Sequence, residues 1–143
     1  MSSLAIKNRD LHIYENGLIY RDFVSVVDVV SILLQSLNLK SLPQILNVGT
    51  GKAISIYDLA IFIVDFYRSD SKVIKTDAFR VGDIAANFCS NELFFQFFPD
   101  FHYRDFWSVL PSYLKWVKDM GGMDIGVFDK SVSDLTKEGL FKT

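Results

Sequence analysis

Apolar and polar positions alternate over Leu11-His12-Ile13-Tyr14, and the run stops at Glu15-Asn16-Gly17. Alternation with period two predicts a short strand, and Asn-Gly favours a turn with positive φ, so a β-hairpin or a tight bend follows. Ile19 to Val26 reads as a second extended run. The period then lengthens: Val29, Ile32, Leu33 and Leu37 recur at helical spacing behind Asp28, a residue suited to cap a helix that ends near Asn38. Pro43 blocks continuation, and Ile45-Leu46-Asn47-Val48 predicts a compact buried strand ending at Gly49-Thr50-Gly51.

Ser55 followed by Asp58 approximates a capping box, and Ile56, Leu59, Ala60, Ile63 and Phe66 form the apolar face of the helix it opens. Lys72 to Lys75 predicts another short strand, Arg80-Val81-Gly82-Asp83 a turn, and Ser90 to Phe98 a short aromatic helix or turn ended by Pro99. Trp107, Leu110, Leu114, Val117 and Met120 give a last helical stripe, closed by Gly121-Gly122. Beyond it lies a tail, residues 123–143, with a helical turn expected at Ser133 to Leu140. Strands alternating with helices indicate an α/β class.

Composition narrows the picture. The 143 residues fit one domain, and a hydrophobic half with 15% aromatics supplies a core and excludes a disordered chain. Fifteen Lys and Arg against seventeen Asp and Glu leave a net charge of −2, so no basic field points to nucleic acid or an anionic membrane. No stretch is long and apolar enough to predict a membrane span. The single Cys89 excludes an internal disulfide, and with no secretory signal at the start the expected compartment is the cytoplasm. His12 and His102 have no Cys or carboxylate at ligand spacing, so no metal site is expected.

Gly49 and Gly51 between a strand and a helix invite a dinucleotide-binding reading. It fails on the residues: Ile54 stands where the third glycine belongs, and Leu46 where a phosphate-binding P-loop needs its first glycine. A structural turn is the better account, with Lys52 a bystander. Arg21, in Tyr20-Arg21-Asp22-Phe23, and Arg80, in Phe79-Arg80-Val81-Gly82-Asp83, present guanidinium forks that match phosphate oxygens and together suit a diphosphate. Each taken alone reads more readily as a solvated or carboxylate-paired arginine.

Four blocks, in order, add a family resemblance. LHIYENG (11–17), RDFVSVVDVV (21–30), ILNVGTGKAISIYDLA (45–60) and FRVGDIAANFCS (79–90), with a weaker match around Leu114 and Trp116, resemble the C-terminal, substrate-binding part of extended short-chain dehydrogenase/reductases, the NAD-dependent epimerase/dehydratase family acting on nucleotide sugars. The resemblance implies an incomplete α/β fold: a C-terminal substrate lobe over residues 1–122 plus a few Rossmann-sheet elements, the N-terminal Rossmann half missing, then the tail. It implies that Tyr14 and His12 pack the nucleotide base, that Arg21 and Arg80 hold the diphosphate, and that Asp83 binds the ribose. Asp28 stays a helix cap. Glu15 departs from the pattern, standing where a glycine is common, and the tail is longer than the shortest relatives require.

The family's chemistry uses a glycine-rich NAD turn and a Tyr-x-x-x-Lys pair, the tyrosine acting as general acid/base. Four residues after the six tyrosines come Leu18, Val24, Ile61, Ser71, Trp107 and Val117, never lysine. No catalytic residue is therefore assigned, NAD(P) is not expected to bind this chain alone, and hydride transfer is expected to need a part supplied elsewhere, as in a split gene product or remnant. Apolar faces meant for that part predict self-association or a complementing Rossmann chain. The leading expectation is the nucleotide-sugar-binding part of an epimerase, dehydratase or reductase. A non-catalytic nucleotide-sugar-binding or protein-interaction module is the alternative, and a plain α/β protein with an accidental likeness the third reading.

Overall fold

The computed structural model describes residues 1–142. In chain order it holds α1 (Ser2–Ile6), β1 (Leu11–Ile13), β2 (Tyr20–Arg21), α2 (Val26–Ser36), β3 (Ile54–Ser55), α3 (Ile56–Tyr67), β4 (Val73–Lys75), β5 (Phe79–Arg80), β6 (Ala86–Asn87), α4 (Glu92–Phe97), α5 (Phe106–Asp119), α6 (Ile125–Lys137) and β7 (Phe141–Lys142). The α/β class stands, with the strands gathered into three small sheets. β1 runs parallel to β4, pairing Leu11 with Val73 and Ile13 with Lys75. β2 lies between antiparallel β3 and parallel β6, and β5 pairs antiparallel with β7.

The main core forms where α1, α3 and α5 close over β1. Leu4, Ala5, Leu11, Ile13, Leu59, Ala60, Ile63, Leu110 and Leu114 are buried together. The expected cap works here, Ser55 Oγ accepting from the Asp58 N–H to open α3, and Asp105 opens α5 in the same way by accepting from the Ser108 N–H. Gly121 and Gly122, both with positive φ, end α5 as the sequence predicts. A second cluster joins Ile32 of α2 to Phe94 and Phe98, with Phe101 and Tyr103 packed alongside. Its rings stack and cross at short range, Phe94 lying 4.9 Å from Phe98 and 5.4 Å from Tyr103.

Four local expectations change. No hairpin follows β1, because its partner is β4; the tight bend is a 3-10 turn, Glu15–Gly17, with all three residues at positive φ. Asp28 does not cap α2. Ser25 does, its Oγ accepting from the Val27 N–H at 3.3 Å, while Asp28 is buried and accepts from the Arg104 backbone N–H and guanidinium. Residues 45–48 form no strand, since no described strand runs alongside to pair with them, and Ile45 is exposed. The helical turn expected at Ser133 to Leu140 begins much earlier: α6 starts at Ile125, capped by the Asp124 carboxylate, and β7 follows.

Candidate binding site

β1 sends Leu11 and Ile13 into the core, so the residue between them, His12, lies on the other face of the strand. Tyr14 follows at the strand's end. β2 carries Arg21, and β5 with the turn after it carries Arg80 and Asp83. His12, Tyr14, Arg21, Arg80 and Asp83 all line one cavity of about 950 Å³. That volume suits a ligand of nucleotide size.

The charges of the site are held before any ligand arrives. Arg21 Nη1 donates to the Tyr20 carbonyl at 2.7 Å and to the Ala85 carbonyl at 3.3 Å, which fixes the fork and leaves its other N–H groups free of partners among the described residues. Arg80 donates from Nε to Asp83 Oδ2 at 2.9 Å, with Nη2 at 2.7 Å from the same oxygen. Oδ1 of Asp83 keeps its acceptor capacity. The turn that brings these two side chains together needs Gly82, whose φ is +89°. Burial pushes the Tyr14 hydroxyl above the ordinary phenol value, against the opposing pull of the nearby Arg80 charge. Tyr14 therefore stays neutral and presents an apolar face with a hydrogen-bonding tip.

Asp22, next to Arg21 in the chain, anchors the Gly49–Gly51 turn, a role the sequence reading missed. Its Oδ1 accepts from the Thr50 N–H and hydroxyl, and its Oδ2 from the N–H groups of Gly51 at 2.8 Å and Cys89 at 3.3 Å. Burial raises this carboxyl, but the four donors outweigh it and hold it below its ordinary value. A Cβ at position 49 would lie 2.8 Å from both Asp22 Oδ2 and Cys89 Sγ, so only glycine fits there. The glycine turn is thus filled from within. Its N–H groups, the ones a dinucleotide phosphate needs, already serve Asp22, and the turn does not fit NAD. Burial and the Asp22 charge push the Cys89 thiol up, and Sγ lies 2.8 Å from Asn91 Oδ1, which makes it a poor nucleophile. Among the described residues, no group of three or more His, Cys, Asp or Glu is placed to hold a metal, and no helix is long and apolar enough to cross a membrane.

The C-terminal segment also reaches the cavity. Phe128, Asp129, Val132 and Phe141 line it, and Arg9, also in its lining, makes two hydrogen bonds to Asp129, at 2.9 and 3.3 Å. A signal for this lay in the sequence: Ile125, Phe128, Val132 and Leu135 recur at helical spacing behind Asp124.

No family model matches the sequence. The dTDP-L-rhamnose 4-epimerase of Burkholderia thailandensis is 34% identical over 91 residues, which cover 62% of this chain and 24% of that protein. A UDP-N-acetylglucosamine 4-epimerase from Methanobrevibacter ruminantium, solved with UDP-N-acetylmuramic acid, superposes with a TM-score of 0.71 at 26% identity over 83% of this chain and 38% of its own. An NAD-dependent NDP-hexosamine 5,6-dehydratase of tunicamycin biosynthesis superposes with a TM-score of 0.67 at 21% identity, over 82% and 37%. The chain therefore spans about a quarter of the curated relative and under two-fifths of the two solved ones. The likeness carried by the four sequence blocks is borne out.

Proposed function

We propose that this chain, which resembles in sequence and backbone the C-terminal part of NAD-dependent epimerase/dehydratases of the extended short-chain dehydrogenase/reductase family, binds the nucleoside diphosphate of a sugar substrate. One observation carries the reading: an aromatic face, two fixed guanidinium groups and a carboxylate converge on one cavity of about 950 Å³. Tyr14, with His12, offers the apolar surface a base needs. Arg21 and Arg80 supply charge-assisted donors for the two phosphates, and Asp83 Oδ1 accepts from ribose hydroxyls. In the family, NAD carries the hydride; in this chain the Gly49–Gly51 turn is occupied by Asp22, so the chain's own residues bind and orient while the redox step belongs to a part that holds the cofactor.

A partner for that step has a surface to meet. Val26, Val30, Leu33 and Leu34 on α2, with Leu37 just past its end and Ile45, are exposed, and we assign this face to a complementing Rossmann chain or to a second copy. Sedimentation of the purified chain as a monomer at every concentration, with no complex formed with a complementing half, would remove this assignment.

Titration calorimetry of the full chain with UDP and dTDP sugars tests the pocket. Binding is expected, and Arg21→Ala and Arg80→Ala should each weaken it by roughly 10- to 150-fold, the worth of a hydrogen bond to a charged group. Wild-type affinity in both variants, or no binding by the native chain, would overturn the reading.

A further inference from the structure

We propose that the C-terminal segment α6–β7 is a wall of the binding site and that Phe141 completes the subsite for the nucleobase. The inference rests on the nucleoside-diphosphate reading above and adds a residue that reading does not use.

Register supports it first. β7 pairs antiparallel with β5 so that Phe141 stands directly opposite Arg80, and the Val81 N–H donates to the Leu140 carbonyl at 2.8 Å to extend the pairing. Directly opposed residues of an antiparallel pair project from the same face. Phe141 and Arg80 therefore point the same way, and both line the cavity. The Phe141 ring then meets the Tyr14 ring edge to face, 5.0 Å between centroids and 70° between planes. Two aromatic rings at a corner, with a guanidinium on the same face, are the surfaces a planar base and its adjoining phosphate require.

The packing of α6 agrees. None of its residues is fully buried, and its contact with the main core is made by Ile125 at its start. Phe128 and Val132 line the cavity, and the Arg9–Asp129 pair ties the helix to the segment before β1. Both partners of that pair are about half exposed, so it contributes little stability and its attachment is salt-sensitive. Besides that pair, the segment is held by the β5–β7 pairing, by Ile125 at its start and by the Met123 N–H donating to Ser3 Oγ, and from these anchors it reaches the cavity where a ligand would touch it.

The test compares UDP with inorganic pyrophosphate, which shares the phosphates and lacks the base, by calorimetry on the full chain. Phe141→Leu keeps an apolar residue in the strand and removes the ring. It should weaken UDP by roughly 5- to 150-fold, the range for loss of a base-stacking ring, and leave pyrophosphate unchanged; Phe141→Trp should restore UDP binding. A second measurement needs no variant: hydrogen exchange at the Val81 amide of the native chain should slow more with UDP, which engages Arg80 and Phe141, than with pyrophosphate, which engages Arg80 only. Unchanged UDP affinity in Phe141→Leu, or Val81 exchange slowed no more by UDP than by pyrophosphate, overturns the role of Phe141 and leaves the diphosphate site standing. Equal affinity of the native chain for UDP and pyrophosphate also overturns it. Binding of neither ligand overturns both readings, which separates the two failures.

Discussion

Helices α2 and α3 begin alike and end differently. They have 11 and 12 residues, and each opens with a serine whose hydroxyl accepts from the backbone of the first turn. α3 buries Leu59, Ala60 and Ile63 against α1, β1 and α5, so its apolar stripe has neighbours along its length. α2 buries only Ile32 and the charged Asp28, and leaves Val26, Val27, Val30, Leu33 and Leu34 exposed, with Leu37 just past its end. An apolar sequence makes a helix that can be buried; whether it is buried depends on which elements lie across from it. Where α3 is held by area removed from water, α2 is held by an ion pair and a few aromatic rings.

The largest test sets one leucine from each region against the other. Leu114, fully buried in the main core, should cost about 2–5 kcal/mol when changed to alanine, because it leaves a cavity among close-packed neighbours. Leu33, 60% exposed on α2, should change stability by no more than about 0.5 kcal/mol in the same substitution. Denaturant melts of the two variants read the contrast directly. Equal losses would mean that the α2 face is covered in solution, and a concentration-dependent melt would then point to a second copy.

A smaller effect probes what anchors α2. Asp28→Ala removes the acceptor for the Arg104 backbone N–H and guanidinium, which join positions 76 residues apart in the chain. The Arg104 side chain is about half exposed and can rehydrate, so the expected loss is about 2–3 kcal/mol, below the ~3–5 kcal/mol for breaking a fully buried pair. Loss of amide protection confined to α2 and α4, with the main core intact, is the expected signature. Uniform loss across both clusters would show that the two regions unfold as one.

The smallest effect concerns Asp22, at the junction. Because its donors hold the folded carboxyl below the ordinary value, the unfolded chain takes up this proton at higher pH than the folded one. Its stabilisation is complete above about pH 4 and is lost as pH falls through the lower, folded value. Asp22→Asn should cost about 1–2 kcal/mol at neutral pH and flatten the acid side of the stability profile, as followed by thermal melts between about pH 2 and 7. An unaltered acid limb in the variant would mean that other carboxyls set it.

Local chemistry was readable wherever it decided the outcome. The Ser55 cap, the stripe of α5, the stop at Gly121-Gly122 and the turn at Gly82 each depend on a few adjacent residues, and each is found. Asp28 misled because a carboxylate near a helix start is a good cap in isolation; only the fold brings Arg104 to it. Residues 45–48 misled because a strand exists only when another lies beside it. The tail misled because Ile125, Phe128, Val132 and Leu135 carry a helical repeat that begins well before the turn expected at Ser133 to Leu140.

The sequence by itself determined the apolar stripes of α3 and α5, the Ser55 cap, and the hydrogen-bonding capacity of the side chains that the family resemblance singles out. Those properties follow from 3.6-residue periodicity and from the donor and acceptor inventory of each residue. Only the tertiary structure decided that His12, Tyr14, Arg21, Arg80 and Asp83 share one cavity and that Phe141 stands opposite Arg80. Strand pairing joins residues far apart in the chain, and no local pattern encodes which distant partner will supply the missing hydrogen bonds.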